Sequence, residues 1–575
     1  MLDVDKIHNF KKDKGTKVKS RLFIIFYSLA MLNPVFPGIS FSEVLTEEIR
    51  ERLRNRMEFF ETSKEMKTGK ERIFSTVMLP RFYGRRVYAP AWVSGEGPSS
   101  SANALVEKLQ GANEEGLRPG DYHLDAIQKT LYKVKDNIKS KRSLHPGRLA
   151  GLELLLTDAF LLYASHLMSG RINPETIDPE WHVSRKEADL ATVLEAALAE
   201  NRIKEALDGL LPQNIGYKEL RKALMRYRQI ALDGGWVHIN NEINIKKEEP
   251  SQTVISLRSR LLASGDLSKE NDRLSNVFDE LLEKAVIRFQ LRHGLEATGT
   301  VGPETLNALN LPVEERIDQI KLNLERWRWL PPDLGQRYIL VNIANYQLEV
   351  VENGNTVLSM KAIVGKPYRR TPVFSAKMTY LVLSPYWNIP LDIVIKDKIP
   401  EQRKNSFYFE QQHIKVFQGW GADDREVDPQ TINWSKISSK SLPYRLCQEP
   451  GPWNELGDIK FMFPNRFNVY IHDTPRREFF KKAERDFSSG CIRIEKPVDL
   501  AMYLLRSDPK WTRKAILSAV EKRRERTVIL PEPITVHLVY WTAWADKEEK
   551  INFRKDIYKR DERLKLAMFK GPDEQ

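Results

Sequence analysis

Arg337-Tyr-Ile-Leu-Val-Asn-Ile-Ala-Asn-Tyr-Gln347-Leu-Glu-Val-Val-Glu-Asn353-Gly354-Asn-Thr-Val-Leu-Ser-Met-Lys-Ala-Ile-Val364 is the run on which the fold of the second half of this chain turns. Side chains over residues 338–344 and 347–351 follow period two, as in strands that bury one face. Asn353-Gly354 is a dipeptide that accepts the positive φ angles of a tight hairpin, so the second strand is expected to turn back into a third over 356–364. The same pattern returns over residues 379–384, 468–471 and 534–544. These observations predict a mostly β domain over 330–510. A stretch rich in charge and aromatics, 401–440, interrupts it as a lid-like insertion. Residues 511–575 are expected to hold a helix, one more strand and a charged tail.

Upstream the period changes to that of a helix. Leu152, Leu155, Leu156, Ala159, Phe160, Tyr163 and Leu167 recur at three and four, the stripe of a helix packed on others. Residues 43–250 therefore read as a helical scaffold domain that ends in the charged linker 246–250. The segment 149–168 is apolar, but Glu153, Asp158 and His166 mark it as a buried helix rather than a membrane span. Residues 251–325 form a smaller helical unit. Leu281, Ala285, Val286 and Phe289 make one face, and Gly294, Gly299 and Gly302 suit tight turns. Pro303 then opens a short helix that closes on Leu309-Asn310. The fold class expected is multi-domain α+β.

The chain has 575 residues and a net charge of +13, with 91 basic residues interleaved with 78 acidic ones. That mixture describes solvated faces rather than a basic arm, and no nucleic-acid motif accompanies it. Its two cysteines, Cys447 and Cys491, are too few for a disulfide framework or a zinc site, and no histidine pair has metal-ligand spacing, so neither metal nor cofactor is expected. Residues 1–42 read as a targeting segment. Lys11, Lys12, Lys14, Lys17, Lys19 and Arg21 precede an apolar run over 22–32, followed by Pro34, Pro37 and small residues at Ser40 and Ser42. Cleaved signal peptide and retained inner-membrane anchor both fit it, and both export the body of the chain.

The chemistry is carried by Val469-Tyr-Ile-His472-Asp-Thr-Pro and, nineteen residues after the histidine, Ser488-Ser489-Gly490-Cys491-Ile-Arg493. A strand ending in His places an imidazole at a sheet rim. A Ser-Ser-Gly turn lifts a thiol into the open. A cysteine needs such a base to become nucleophilic near neutral pH. Amides around Ser489, Gly490 and Cys491 are candidates for an oxyanion hole.

These motifs resemble the catalytic signature of the L,D-transpeptidase (YkuD-type) family, in particular its long multi-domain subgroup. Gly365-Lys366, Thr371-Pro372, Pro385-Tyr-Trp-Asn388-Ile-Pro390 and Gln448-Glu-Pro-Gly451-Pro-Trp-Asn454-Glu-Leu-Gly457 are also similar to that subgroup. The unit at 251–325 resembles the peptidoglycan-binding domain found beside wall enzymes. The resemblance implies a periplasmic enzyme in which Cys491 attacks the stem tetrapeptide at its diaminopimelate carbonyl and expels the terminal D-Ala. His472 shuttles the proton, the Asp473 carbonyl fixes the imidazole, and Arg493 braces the site or meets a carboxylate. Tyr470, Trp387, Asn388 and Trp420 are expected to line the substrate. A diaminopimelate amine of a second stem would accept the acyl group, giving a 3–3 cross-link. Water or a protein lysine as acceptor stays open, as does a spent domain that only binds the wall. The resemblance further implies carbapenems as covalent inhibitors and partners in wall synthesis. Cys447 is expected to be a free thiol, with pairing to Cys491 the alternative.

Overall fold

The computed structural model describes residues 40–570 apart from 63–64, 184–185, 241–247, 249, 269–274, 420–423, 439–441 and 547. Almost all of the expected targeting segment, and Trp420, lie outside the described residues. Among those described, no helix is long and apolar enough to cross a membrane.

The scaffold is helical. It starts with α1 (Phe41–Thr62) and centres on α2 (Pro146–Ser169). Pro146 pre-sets the first turn of α2, and Gly170, at φ +82°, takes the chain out of it. Leu152, Leu156, Phe160 and Leu167 are buried on its stripe. Glu153 and Asp158 of α2 are buried too, and both hold backbone amides. Glu153 accepts from Ala91 N at 2.5 Å, Trp92 N at 2.8 Å and Val93 N at 3.1 Å. Asp158 accepts from Ser75 N at 2.7 Å and contacts His123 Nε2 at 2.8 Å. Burial drives the Glu153 carboxyl up to about 7 although those donors oppose it. Glu153→Ala would leave three N–H groups, two of them buried, without this acceptor. We expect it to cost about 3 kcal/mol or more, read as a lower urea midpoint. A midpoint within error of wild type would refute this role.

The scaffold's last long helix, α3 (Ile215–Leu232), packs on α6 (Val313–Trp329). Tyr217, Leu220 and Leu224 meet Ile320, Leu324 and Trp327 there. Part of α6 falls within the bounds expected for the 251–325 unit, yet it joins the core shared by the scaffold and the barrel. The small unit proper is built on α4 (Glu280–Arg292) and α5 (Pro303–Leu309). Gln290, buried, ties them together. Its Oε1 accepts from Gly299 N at 2.9 Å, and its Nε2 donates to Thr300 O at 2.8 Å and Thr305 Oγ1 at 3.0 Å. Asn310 makes two hydrogen bonds of 2.8 Å to the backbone of Ile239 and clamps the incoming linker.

The second half of the chain holds a closed eight-stranded barrel. In chain order its strands are β1 (Arg337–Asn342), β2 (Gln347–Glu352), β3 (Asn355–Ile363), β4 (Phe374–Leu383), β9 (Ile459–Met462), β10 (Ile471–His472), β11 (Ile492–Ile494) and β12 (Arg526–Val539). Around the barrel they run β9-β10-β11-β3-β2-β1-β12-β4. The hairpin read at Asn353-Gly354 is present, with Asn353 and Gly354 both at positive φ. Two boundaries differ from expectation. β12 lies between β1 and β4 and closes the barrel, so the domain does not end at 510. The strand expected at 468–471 shrinks to Ile471–His472, because Asn468 turns at φ +54° and the Asn465 side chain caps that turn.

The insertion is wider than 401–440. It forms a four-stranded sheet of its own from β5 (Trp387–Asn388), β6 (Ile414–Gln418), β7 (Arg425–Val427) and β8 (Tyr444–Gln448), ordered β7-β6-β8-β5. Trp387, Phe409, Val416, Trp434 and Leu446 make its core, and Tyr470 of the barrel packs at its edge. Phe409 is fully buried against Trp434 and belongs to the interior of the insertion.

Candidate active site

Strand register gathers the site. β10 and β11 pair in parallel, with Ile471 opposite Ile492 and His472 opposite Arg493. Ile471, Ile492 and Ile494 point into the barrel core. Side chains alternate along a strand, so Tyr470, His472, Cys491 and Arg493 share the outer face. Lys460 of β9 pairs with His472 and joins that face. The insertion covers it from outside.

The Cys491 thiol is half-buried. Its Sγ lies 3.8 Å from Asn468 O and hydrogen-bonds with the Tyr470 side chain. Burial raises the thiol above its ordinary value, while Tyr470, Lys460 and Arg493 act in the opposite direction. His472 is buried, with Nδ1 2.5 Å from Asp473 O. A carbonyl only accepts, so Nδ1 carries the hydrogen and Nε2 keeps its lone pair. Burial, with Arg493 and Lys460 nearby, lowers the imidazole to about 3. The resting pair is therefore neutral imidazole and thiol. The Tyr470 and His472 rings meet edge to face at 5.6 Å, and Lys460 Nζ sits 4.0 Å over the Tyr470 ring.

Hydrogen bonds shape the turn that carries the thiol. Gly490 adopts φ +112°, a region that suits glycine. Its amide donates to Ser488 Oγ at 3.1 Å, and its carbonyl accepts from Thr371 Oγ1 at 2.8 Å. Ser488 Oγ in turn donates to Cys491 O at 2.6 Å. Ser489 Oγ accepts from Arg369 Nη1 at 3.0 Å, and Arg369 is held by Asp397 of the insertion. Behind the histidine, Gly457 at φ +62° leaves the space taken by Asp473, whose carboxylate accepts from Asp458 N and Arg477.

The remaining expected residues divide. Trp387 hydrogen-bonds with Tyr470 and lies under Lys398 Nζ at 5.4 Å, which puts it near the thiol. Asn388 is exposed and accepts from Arg445 at 2.8 Å, one strand position further out. Arg493 reaches Glu455 at 3.4 Å, and its buried Nε has no partner. Glu455 is also paired with Arg476 at 2.7 Å. Cys447 is a free, buried thiol in β8. Lys460 escaped the sequence reading. A lysine that alternates with Ile459 and Phe461 looks like an ordinary solvent-facing strand residue, and only the register β9-β10-β11 brings it to the site.

Three family models match the chain: a scaffold domain over residues 78–224, a "Putative peptidoglycan binding domain" over 250–309 and the L,D-transpeptidase catalytic domain over 336–514. A protein of Haemophilus influenzae named "Putative L,D-transpeptidase" is 35% identical over 257 residues, which is 44% of this chain and 50% of that protein. This chain thus spans half the length of that relative. A crystal structure of an L,D-transpeptidase (residues 123–326) from Xylanimonas cellulosilytica aligns at 15% identity and a TM-score of 0.16, covering 51% of this chain and 96% of that one. That score is too low to bear on fold or function.

Proposed function

We propose that this chain, which carries an L,D-transpeptidase catalytic domain beside a peptidoglycan-binding and a scaffold domain, joins peptidoglycan stem peptides through a thioester on Cys491. The observation that supports this most is the shared outer face of β10 and β11, which carries both Cys491 and a histidine whose Nδ1 is held by the Asp473 carbonyl.

The chemistry runs in two halves. As Cys491 Sγ attacks the carbonyl of the third stem residue, its proton passes to His472 Nε2. The tetrahedral oxyanion needs donors. The Gly490 amide is engaged with Ser488 Oγ, so the Cys491 amide and the Tyr470 hydroxyl are the better placed groups. His472 then protonates the departing D-Ala amine, and the C–N bond breaks to leave the thioester. In the second half a diaminopimelate amine attacks the thioester carbonyl, His472 removes its proton, and Cys491 leaves as the thiol. Arg493, with an unpartnered Nε, suits a stem carboxylate. The insertion serves as a lid that keeps water from the thioester. This reading places the enzyme in the periplasm and makes carbapenems covalent ligands of Cys491.

Muropeptide analysis after incubation with disaccharide-tetrapeptide tests the reading. Dimers with released D-Ala are expected. Tripeptide monomers alone would mean that water is the acceptor, and no product would mean a domain that only binds.

Lys460 acts in this scheme as a positioning charge that favours the thiolate. Iodoacetamide alkylation of Cys491, followed by peptide mapping, should inflect above the ordinary cysteine range, because burial dominates. Removing the cation in Lys460→Met raises the thiol further, so its profile moves to higher pH and the rate at pH 8 falls about tenfold. An unchanged profile would remove Lys460 from the site's electrostatics.

A further inference from the structure

A cavity of about 1070 Å³ lies far from Cys491, on the opposite side of the barrel. The barrel supplies three cross-strand rungs on its outer face: Tyr338 with Val351, Leu340 with Glu349, and Asn342 with Gln347. The scaffold adds the start of α3, where Ile215 is 70% exposed, and the small unit adds Leu291 of α4, 57% exposed. Trp327, Trp541 and Trp544 complete the wall. All three domains therefore meet around one cleft.

Two features say what the cleft takes. Trp327 is buried, yet its indole N–H has no partner. A desolvated donor without an acceptor is costly unless a ligand supplies one. The cleft is also net negative, with seven carboxylates against three cations along its walls. Arg292 is bound by Asp266 at 2.7 Å and Lys550 by Glu548 at 2.7 Å, and Arg288 donates to the Asp266 backbone carbonyl at 2.9 Å. Anionic polymers are repelled from such a wall. Aromatic and aliphatic faces beside planar carboxylate and amide groups instead match a neutral polyhydroxylated chain. Its C–H faces stack on the rings, and its hydroxyls donate to the acceptors. A ligand acetamide carbonyl would satisfy Trp327.

We propose that this cleft is a second substrate site that binds the glycan strand of the wall, a chain of N-acetylated hexosamines, while the stem peptide reacts at the far face of the barrel. The proposal rests on the reading of the chain as a wall enzyme.

The test uses the full chain with two uncharged probes, the tetramer and the hexamer of N-acetylglucosamine, followed by calorimetry and tryptophan fluorescence. Saturable binding is expected. It should weaken at least tenfold in Trp544→Ala and severalfold in Gln347→Ala, with acylation of Cys491 by soluble tetrapeptide unchanged in both. Gln347 sits on an outer strand face, so its variant reads the site even if Trp544→Ala fails to fold. The proposal is overturned if neither probe binds, if binding survives both substitutions, or if an oligolysine peptide binds in place of the sugars. Failure of the cross-linking reading looks different, because wild type would then bind glycan without becoming acylated.

Discussion

Cys491→Ala is expected to lower stem cross-linking by at least about four orders of magnitude while leaving the fold intact. The size follows from the mechanism: without the thiol there is no covalent intermediate, and what remains is binding and oxyanion stabilisation of an attack that lacks its nucleophile. Intactness follows from the site. The thiol is half-buried at the barrel surface, and its partners are Asn468 O at 3.8 Å and the Tyr470 side chain, so its loss opens no sizeable core cavity. A thermal midpoint within a few degrees of wild type and no detectable dimer is the expected pair of results. Dimer formation by the purified variant would place the nucleophile elsewhere.

His472→Gln should cost about a thousandfold at pH 7.5, the range of a lost general acid–base. Glutamine keeps a donor for the Asp473 carbonyl, which the imidazole now occupies at 2.5 Å, and so limits structural damage. The loss should depend on pH. Because the resting pair is thiol and neutral imidazole, the variant's acylation rate should climb as pH rises and hydroxide forms the thiolate. The wild-type rate, with His472 uncharged far below neutrality, should change less across the same range. A constant ratio between the two from pH 7 to 10 would contradict the base assignment. It would point to His472 as a packing residue.

Much of this could be read from the sequence because local chemistry carried it. The Asn353-Gly354 hairpin, the stripe of α2 and the turn around Gly490 each depend on residues close together in the chain. The misses were non-local. β12 holds Pro531 and Pro533, which read as a strand breaker. A register shift between Ile529 and Ile534 absorbs both prolines against β4, so one strand runs through them. The insertion extends beyond 401–440 because the strands that flank it in the chain, Trp387–Asn388 and Tyr444–Gln448, are short and pair across more than fifty residues. Lys460 and the scaffold-facing role of α6 likewise follow from partners that no periodicity reveals. At the site, the His472 and Cys491 motifs were visible. The hydroxyl of Thr371, which holds the Gly490 carbonyl, needed the fold to come within reach.

A thioester at Cys491 is the intermediate that both halves of the reaction share. Mixing the protein with disaccharide-tetrapeptide, quenching in acid within milliseconds to seconds and recording the intact mass tests it directly. The predicted result is a gain equal to the donor less D-Ala, confined to the peptide that contains Cys491 and discharged by added diaminopimelate-bearing acceptor. Dimers formed with no such adduct at any time, or an adduct on Cys447, would contradict it.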